Sequence, residues 1–165
     1  LTFKQRKTMN KSTQQTMFSS KTGNWATPQD FFDKLNWRFG PFNLDPCASP
    51  FNTKCANFFT EVEDGLSKDW GENTVFVNPP YGRGIDKWIQ KAYNEAKKPD
   101  TKVVMLIPAR TDTKYWHNYV MKASEIYFVK GRLKFGNSGN AAPFPSAVIV
   151  FDGEYQRQIF GAINR

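Results

Sequence analysis

Along residues 25–152, short unbroken apolar runs alternate with stretches in which apolar side chains recur every three or four positions. Phe31, Phe32, Leu35 and Phe39 have the second spacing, which lines one face of a helix. Thr27-Pro28-Gln29-Asp30 predicts its start, with a capping hydroxyl, a proline at the first helical position and a carboxylate in the first turn. Gly40-Pro41 predicts its end. Ile85, Trp88, Ile89, Ala92 and Ala96 predict a second helix that stops at Lys97-Lys98-Pro99, and a third is expected around Lys114–Lys122. The runs Phe42-Asn43-Leu44, Thr74–Val77, Val103–Ile107, Glu125–Val129, Arg132–Phe135 and Ala147–Phe151 read as strands, with a shorter one near Ala56–Phe59. Strands alternating with helices imply an α/β fold: a mostly parallel sheet covered on both faces, with an antiparallel element towards the carboxyl terminus. There are no internal repeats.

Ligands of such sheets bind beyond the carboxyl ends of the strands, and two of those ends are chemically unusual. One carries Asp45-Pro46, the other Asn78-Pro79-Pro80-Tyr81. Consecutive prolines fix φ and remove two N–H groups, so the second loop presents carbonyl oxygens on a stiff backbone. Asn78 adds a side-chain carbonyl and Tyr81 a flat ring. A ligand that satisfies this array offers an amino group with two donors on a planar ring, and a nucleobase with an exocyclic amine, such as adenine, does so. The structural alternative is that the prolines only end the strand and Tyr81 packs on the next helix.

Charge adds a possible partner. The chain has 165 residues, a net charge of +8 and 39% hydrophobic residues, which suits one domain with a single core. Residues 1–23 hold five bases and no acid, residues 24–101 nine bases and eleven acids, and residues 102–165 nine bases and four acids. A near-neutral centre with basic flanks suits chemistry in the middle and contact with a polyanion at the sides. Residues 1–23 have no apolar period and are expected to form a flexible basic arm, followed by a single domain over residues 24–165. No run is apolar enough for a membrane helix or a secretory leader, so a cytoplasmic monomer with no membrane and no obligate protein partner is expected. Cys47 and Cys55 lack metal or redox spacing and read as free thiols; no metal site is expected. His117 beside Trp116 reads as structural.

The sequence resembles the phage DNA N-6-adenine methyltransferases, within the S-adenosylmethionine-dependent amino-methyltransferases. Asn78-Pro79-Pro80-Tyr81 matches that family's (Asp/Asn/Ser)-Pro-Pro-(Tyr/Phe/Trp) catalytic loop. Trp25-Ala26-Thr27-Pro28, Leu44-Asp45-Pro46-Cys47-Ala48, Asp64-Gly65-Leu66 with Trp70, Pro108-Ala109-Arg110-Thr111, Gly131-Arg132-Leu133-Lys134-Phe135 and Pro143-Phe144-Pro145-Ser146 match in the same order. The resemblance covers about residues 24–152. It implies a Rossmann-like methyltransferase fold, S-adenosylmethionine as cofactor, and methyl transfer to adenine N6 of a flipped-out base in double-stranded DNA. By the same resemblance Asn78, Pro79, Pro80 and Tyr81 are catalytic, and Asp45 with Pro46 meets the methionine part of the cofactor. Asp64 contacts its adenosine end, and Trp25, Thr27 and Pro28 border the methionine moiety. Each has a structural alternative: Asp45 capping a turn, Asp64 as one acid of the stretch Glu61–Asp64, and Thr27 capping the helix.

The chain also departs from the pattern. Asp45–Cys55 contains no glycine, and only 18 residues separate Asp45 from Asp64, so the fold is expected to be abbreviated between the first strand and the catalytic loop. For DNA contact, Lys130, Arg132 and Lys134 share one face if their segment is extended; Arg110, after the third strand, is a further phosphate ligand, and Gly136–Asn140 a polar loop that could enter a groove. Rival readings are methylation of another amine (cytosine N4, RNA or protein glutamine) and an inactive DNA-binding relative.

Overall fold

The computed structural model describes residues 25–136, 139–154 and 158–165. The basic arm expected over residues 1–23, and Asn137 and Ser138 of the polar loop, lie outside them. Helix α1 (Gln29–Phe39) buries Phe31, Phe32, Leu35 and Phe39, the face its spacing predicts. Strands β1 (Leu44–Asp45) and β2 (Asn57–Phe58) follow, then a 3-10 turn at Gly65–Ser67, β3 (Thr74–Val77), α2 (Ile85–Glu95) and β4 (Lys102–Pro108). The chain continues through α3 (Lys114–Asn118), a 3-10 turn at Val120–Lys122, β5 (Glu125–Lys130), β6 (Ser146–Asp152) and β7 (Ile159–Asn164).

The strands form one seven-stranded sheet in the order β2-β1-β3-β4-β6-β5-β7. β2, β1, β3 and β4 are parallel neighbours, β6 runs antiparallel between β4 and β5, and β5 and β7 are parallel. Strand β4 is apolar from Val103 to Pro108 because both its faces are covered. Val104 and Leu106 pack on the α1 side with Phe32, Phe76 and Val148, whereas Val103, Met105 and Ile107 pack on the α2 side with Ile89, Trp116 and Ile149. From β1 the chain crosses to β2 on one side, and β3 then lies on the other side. The topological switch point therefore falls between β1 and β3, the strands that end in Asp45 and lead into Asn78.

Four local expectations change. Thr27 does not cap α1: the helix has no side-chain cap, and its first turn uses Asp30, whose carboxylate accepts from the Phe31 amide at 2.8 Å. The expected third helix breaks into α3 and the 3-10 turn, and Thr113 caps its start. Arg132–Phe135 is not a strand, because β5 already has β6 and β7 on its two edges and Gly131, at φ 83°, turns the chain out of the sheet. It stays extended, with Leu133 and Phe135 buried and Arg132 and Lys134 exposed. Strand β7 was not expected, since Gly161 interrupts its apolar run; a Cβ there would stand 2.8 Å from the Tyr127 ring. No helix among the described residues is long and apolar enough to cross a membrane.

Candidate active site

Asp45 closes β1 inside the protein, 4% exposed. The short strand β2 fixes the loop beyond it: the Phe59 amide donates to the Asp45 carbonyl at 3.0 Å and the Ala48 amide to the Phe59 carbonyl at 3.1 Å. The Asp45 carboxylate accepts from the amides of Cys47 at 3.2 Å and Lys54 at 3.5 Å. Burial raises its pKa from 3.8 to about 6, and those amides with the Lys54 charge reverse only part of the effect. Among the described residues Asp45 has no cation within ion-pair distance.

Asn78 follows β3 directly. Its side-chain NH2 donates to the Trp25 carbonyl and, at 2.9 Å, to the Thr27 hydroxyl. A carbonyl can only accept, so the nitrogen must face Trp25 and the oxygen must face the other way. That oxygen, Oδ1, is buried and has no hydrogen-bond partner among the described residues. The Tyr81 hydroxyl donates to the Leu106 carbonyl at 3.2 Å, and burial keeps the phenol protonated by pushing its pKa well above the usual value. Its ring meets Phe144 at 5.4 Å and Phe135 at 6.1 Å, both edge-on; the same two rings hold Trp25 at 5.2 and 5.6 Å. The Gly136 amide donates to the Ala26 carbonyl at 2.8 Å, and the Ala109 amide to the Pro145 carbonyl at 2.9 Å. The segments around Trp25, Asn78, Ala109, Phe135 and Phe144 thus converge on one wall.

Trp25, Thr27, Asp45, Lys54 and Asn78 line a chamber of about 40 Å³. Beside it, and sharing Cys47 and Asn52, lies a groove of about 560 Å³ between Pro46, Thr60, Glu61, Asp64, Pro80 and Trp88. Gly65 shapes it, because a Cβ there would stand 1.9 Å from the Pro46 carbonyl. The buried Trp70 donates its indole N–H to the Gly65 carbonyl at 2.9 Å and stacks on Trp88 at 6.2 Å. Trp70's own amide is held by the buried Glu95 carboxylate at 2.8 Å, which Lys91 and Lys98 neutralise. Asp64 sits at φ 53° with its carboxylate accepting from the Leu66 amide at 3.2 Å, on the groove's rim.

Eight of the expected residues fall into three places. Trp25, Thr27, Asp45 and Asn78 share the chamber; Pro46, Asp64 and Pro80 line the groove; Tyr81 belongs to the aromatic wall. Pro79 is buried within the loop. Pro28 lies instead in a third depression of about 320 Å³ with Phe31, Arg132, Lys134 and Arg165. Arg110 is exposed at the carboxyl end of β4 and Lys130 at the end of β5. The turn at Gly131 interrupts the extended run, so the alternation that aligns Arg132 with Lys134 does not carry back to Lys130. Lys54, Thr60, Glu61, Phe135 and Phe144 have no local signal as site residues; the last two stand in motifs of the resemblance whose meeting place is set by the fold.

Residues 14–164 match the family DNA N-6-adenine-methyltransferase (Dam). The DNA N-6-adenine-methyltransferase of Escherichia phage T1 is 30% identical over 138 residues, which cover 83% of this chain and 57% of that protein. The enzyme of the same description from Haemophilus phage HP1 is 34% identical over 116 residues, 69% of this chain and 66% of that protein. The putative methyltransferase YfdM of Escherichia coli K12 is 40% identical over 63 residues, 34% of this chain and 69% of that protein. The chain therefore spans less than two thirds of the length of the two phage relatives. With 151 consecutive residues matched, the chain belongs to the DNA N-6-adenine-methyltransferase (Dam) family.

Proposed function

We propose that this chain transfers a methyl group from S-adenosylmethionine to adenine N6 in double-stranded DNA, within one Rossmann-like methyltransferase domain over residues 24–165. The observation that carries the reading is the orientation of Asn78: its donors are taken up by Trp25 and Thr27, and its buried oxygen has no partner among the described residues. A buried acceptor left unpaired is costly, by about 1–3 kcal/mol, and an exocyclic amine satisfies it. The antiparallel β6 between parallel β4 and β5, and the switch point between β1 and β3, support the fold assignment.

The residues beside Asn78 suit the cofactor. The Asp45 carboxylate, buried and with no cation at ion-pair distance among the described residues, would hold the ammonium of the methionine part. The 560 Å³ groove, with Pro46 at one side and Asp64 on its rim, would take the adenosine part, and its size falls within the roughly 300–1,000 Å³ usual for ligand sites. Trp25 would border the methionine side through the chamber it shares with Asp45. Bound there, the cofactor supplies an electrophilic methyl group on a sulfonium.

The amine nitrogen of adenine is a weak nucleophile because its lone pair is delocalised into the ring. Asn78 Oδ1 and the Pro79 carbonyl would accept its two N–H groups, favouring a pyramidal nitrogen and orienting the lone pair; the proton leaves to water, since Asn78 has no basic group. The base must leave the duplex stack to reach the loop. Tyr81, held by Leu106 and the two phenylalanines, would present its ring to it. Exposed Arg110, Lys130, Arg132 and Lys134 would neutralise phosphates. Incubating the chain with methyl-labelled cofactor and duplex DNA, RNA or protein tests the reading: label is expected in DNA, and label confined to RNA or protein overturns it.

A further inference from the structure

The Asn78 oxygen is useful as an acceptor only while the amide keeps one orientation, and two anchors fix it. The Trp25 carbonyl decides which end of the amide faces inward, because it cannot donate. One anchor still leaves the amide free to swing about that bond. The second anchor, the Thr27 hydroxyl at 2.9 Å, comes from a side chain that is 6% exposed and immediately precedes α1. Thr27 would be expected to cap that helix, and it does not: no side chain caps α1. Its hydroxyl is committed across 51 positions of sequence to the loop that follows β3.

We infer that Thr27 is a positioning residue for Asn78: its hydroxyl accepts the second amide proton and so holds Oδ1 towards the amine. This rests on the reading of Asn78 as the amine's acceptor, and it separates Thr27 from the cofactor-contact role that its place in the sequence motif implies. Trp25 is fixed in turn by Phe135 and Phe144, so the acceptor's direction depends on side chains far from it in sequence. Serine keeps the hydroxyl, whereas valine has nearly the shape of threonine without it.

The test uses the full chain, 15N-labelled, with Thr27→Val and Thr27→Ser. In the unsubstituted protein both side-chain amide protons of Asn78, identified by their loss in Asn78→Ala, are expected to exchange slowly with water. Thr27→Val should speed exchange of one of them about tenfold or more, the scale of one lost hydrogen bond, while Thr27→Ser should not. In methyl transfer to duplex DNA, Thr27→Val should lower kcat about tenfold with affinity for S-adenosylhomocysteine unchanged. Thr27→Ser should restore kcat, and Thr27→Val should add no further loss in an Asn78→Ala background. Should Thr27→Val not fold, Thr27→Ala is read in the same way. Unchanged exchange of the Asn78 protons, or weakened S-adenosylhomocysteine binding with kcat intact, overturns the inference. If the unsubstituted protein methylates no DNA, the function assigned to Asn78 fails, while the proton exchange still decides whether Thr27 anchors the amide.

Discussion

The two sides of the switch point are built in opposite ways. The wall around Asn78 is assembled from five segments spread between Trp25 and Phe144, tied by interlocked aromatic rings and backbone hydrogen bonds. The groove beyond Asp45 comes largely from one stretch, residues 46–65, joined to the sheet by a two-residue strand. On the proposed function, the difference follows from what each side would do. Activating a weak nucleophile demands an acceptor held in one direction, and long-range packing supplies that rigidity. Holding a cofactor needs matching charge and area, which a shorter loop provides. Gly65, packed against the Pro46 carbonyl, and Trp70, bonded to the Gly65 carbonyl, give this loop its firmness.

Substitutions on each side should break the comparison differently. Asn78→Ala removes the acceptor and should lower turnover by about 10²-fold or more, as losing one preorganised group at a reacting centre does, with cofactor affinity retained. Steady-state kinetics alongside calorimetry checks both halves.

Asp45→Asn should act on the other side, and in opposite directions on binding and stability. The native carboxyl titrates near 6 rather than 3.8, so the folded state binds its proton more tightly than the unfolded chain. That advantage is complete below about pH 4 and is lost as pH rises through 6. A shift of this size corresponds to about 3 kcal/mol. Asp45→Asn should therefore unfold at higher urea than the unsubstituted protein at pH 7.5, with the gap closing towards pH 4. Cofactor affinity of the unsubstituted chain should strengthen between pH 5 and 7 as the carboxylate ionises, and in Asp45→Asn it should be weak and flat with pH.

Gly65→Ala places a Cβ against the Pro46 carbonyl. The backbone must yield, at about 1–3 kcal/mol of stability, and binding of S-adenosylhomocysteine should weaken by about tenfold. The Asn78 amide protons should be unaffected if the two sides are as independent as their construction implies. The smallest effect belongs to the surface: replacing Arg132 and Lys134 by Ala should reduce the slope of log K against log salt for duplex DNA by roughly one unit per lost phosphate contact. Lys130→Ala, beyond the turn at Gly131, should act separately from that pair.

Periodicity made α1, α2, β3, β4 and β6 readable, because each buries a face or a whole strand whose pattern is local. Asp45 and Asn78 were readable as strand-end groups for the same reason. The wall was not, since nothing near Phe135 or Phe144 in sequence says that they meet at Tyr81. Thr27 illustrates the limit: a Thr-Pro pair before a helix is a capping signal, and only the fold brings Asn78 close enough to claim the hydroxyl instead. Arg132–Phe135 has the alternation of a strand and is extended, but the edges of β5 were already taken. Strand β7 escaped because Gly161, needed beside Tyr127, hides its pattern.

On the proposed function, the Asn78 oxygen takes the exocyclic amine of adenine. Digesting duplex DNA methylated by the purified chain and separating the labelled nucleosides tests it most directly. The expected result is label in N6-methyldeoxyadenosine, reduced by about 10²-fold or more with Asn78→Ala. Label in a methylated cytosine, or labelling of adenine that persists undiminished in folded Asn78→Ala, would contradict it.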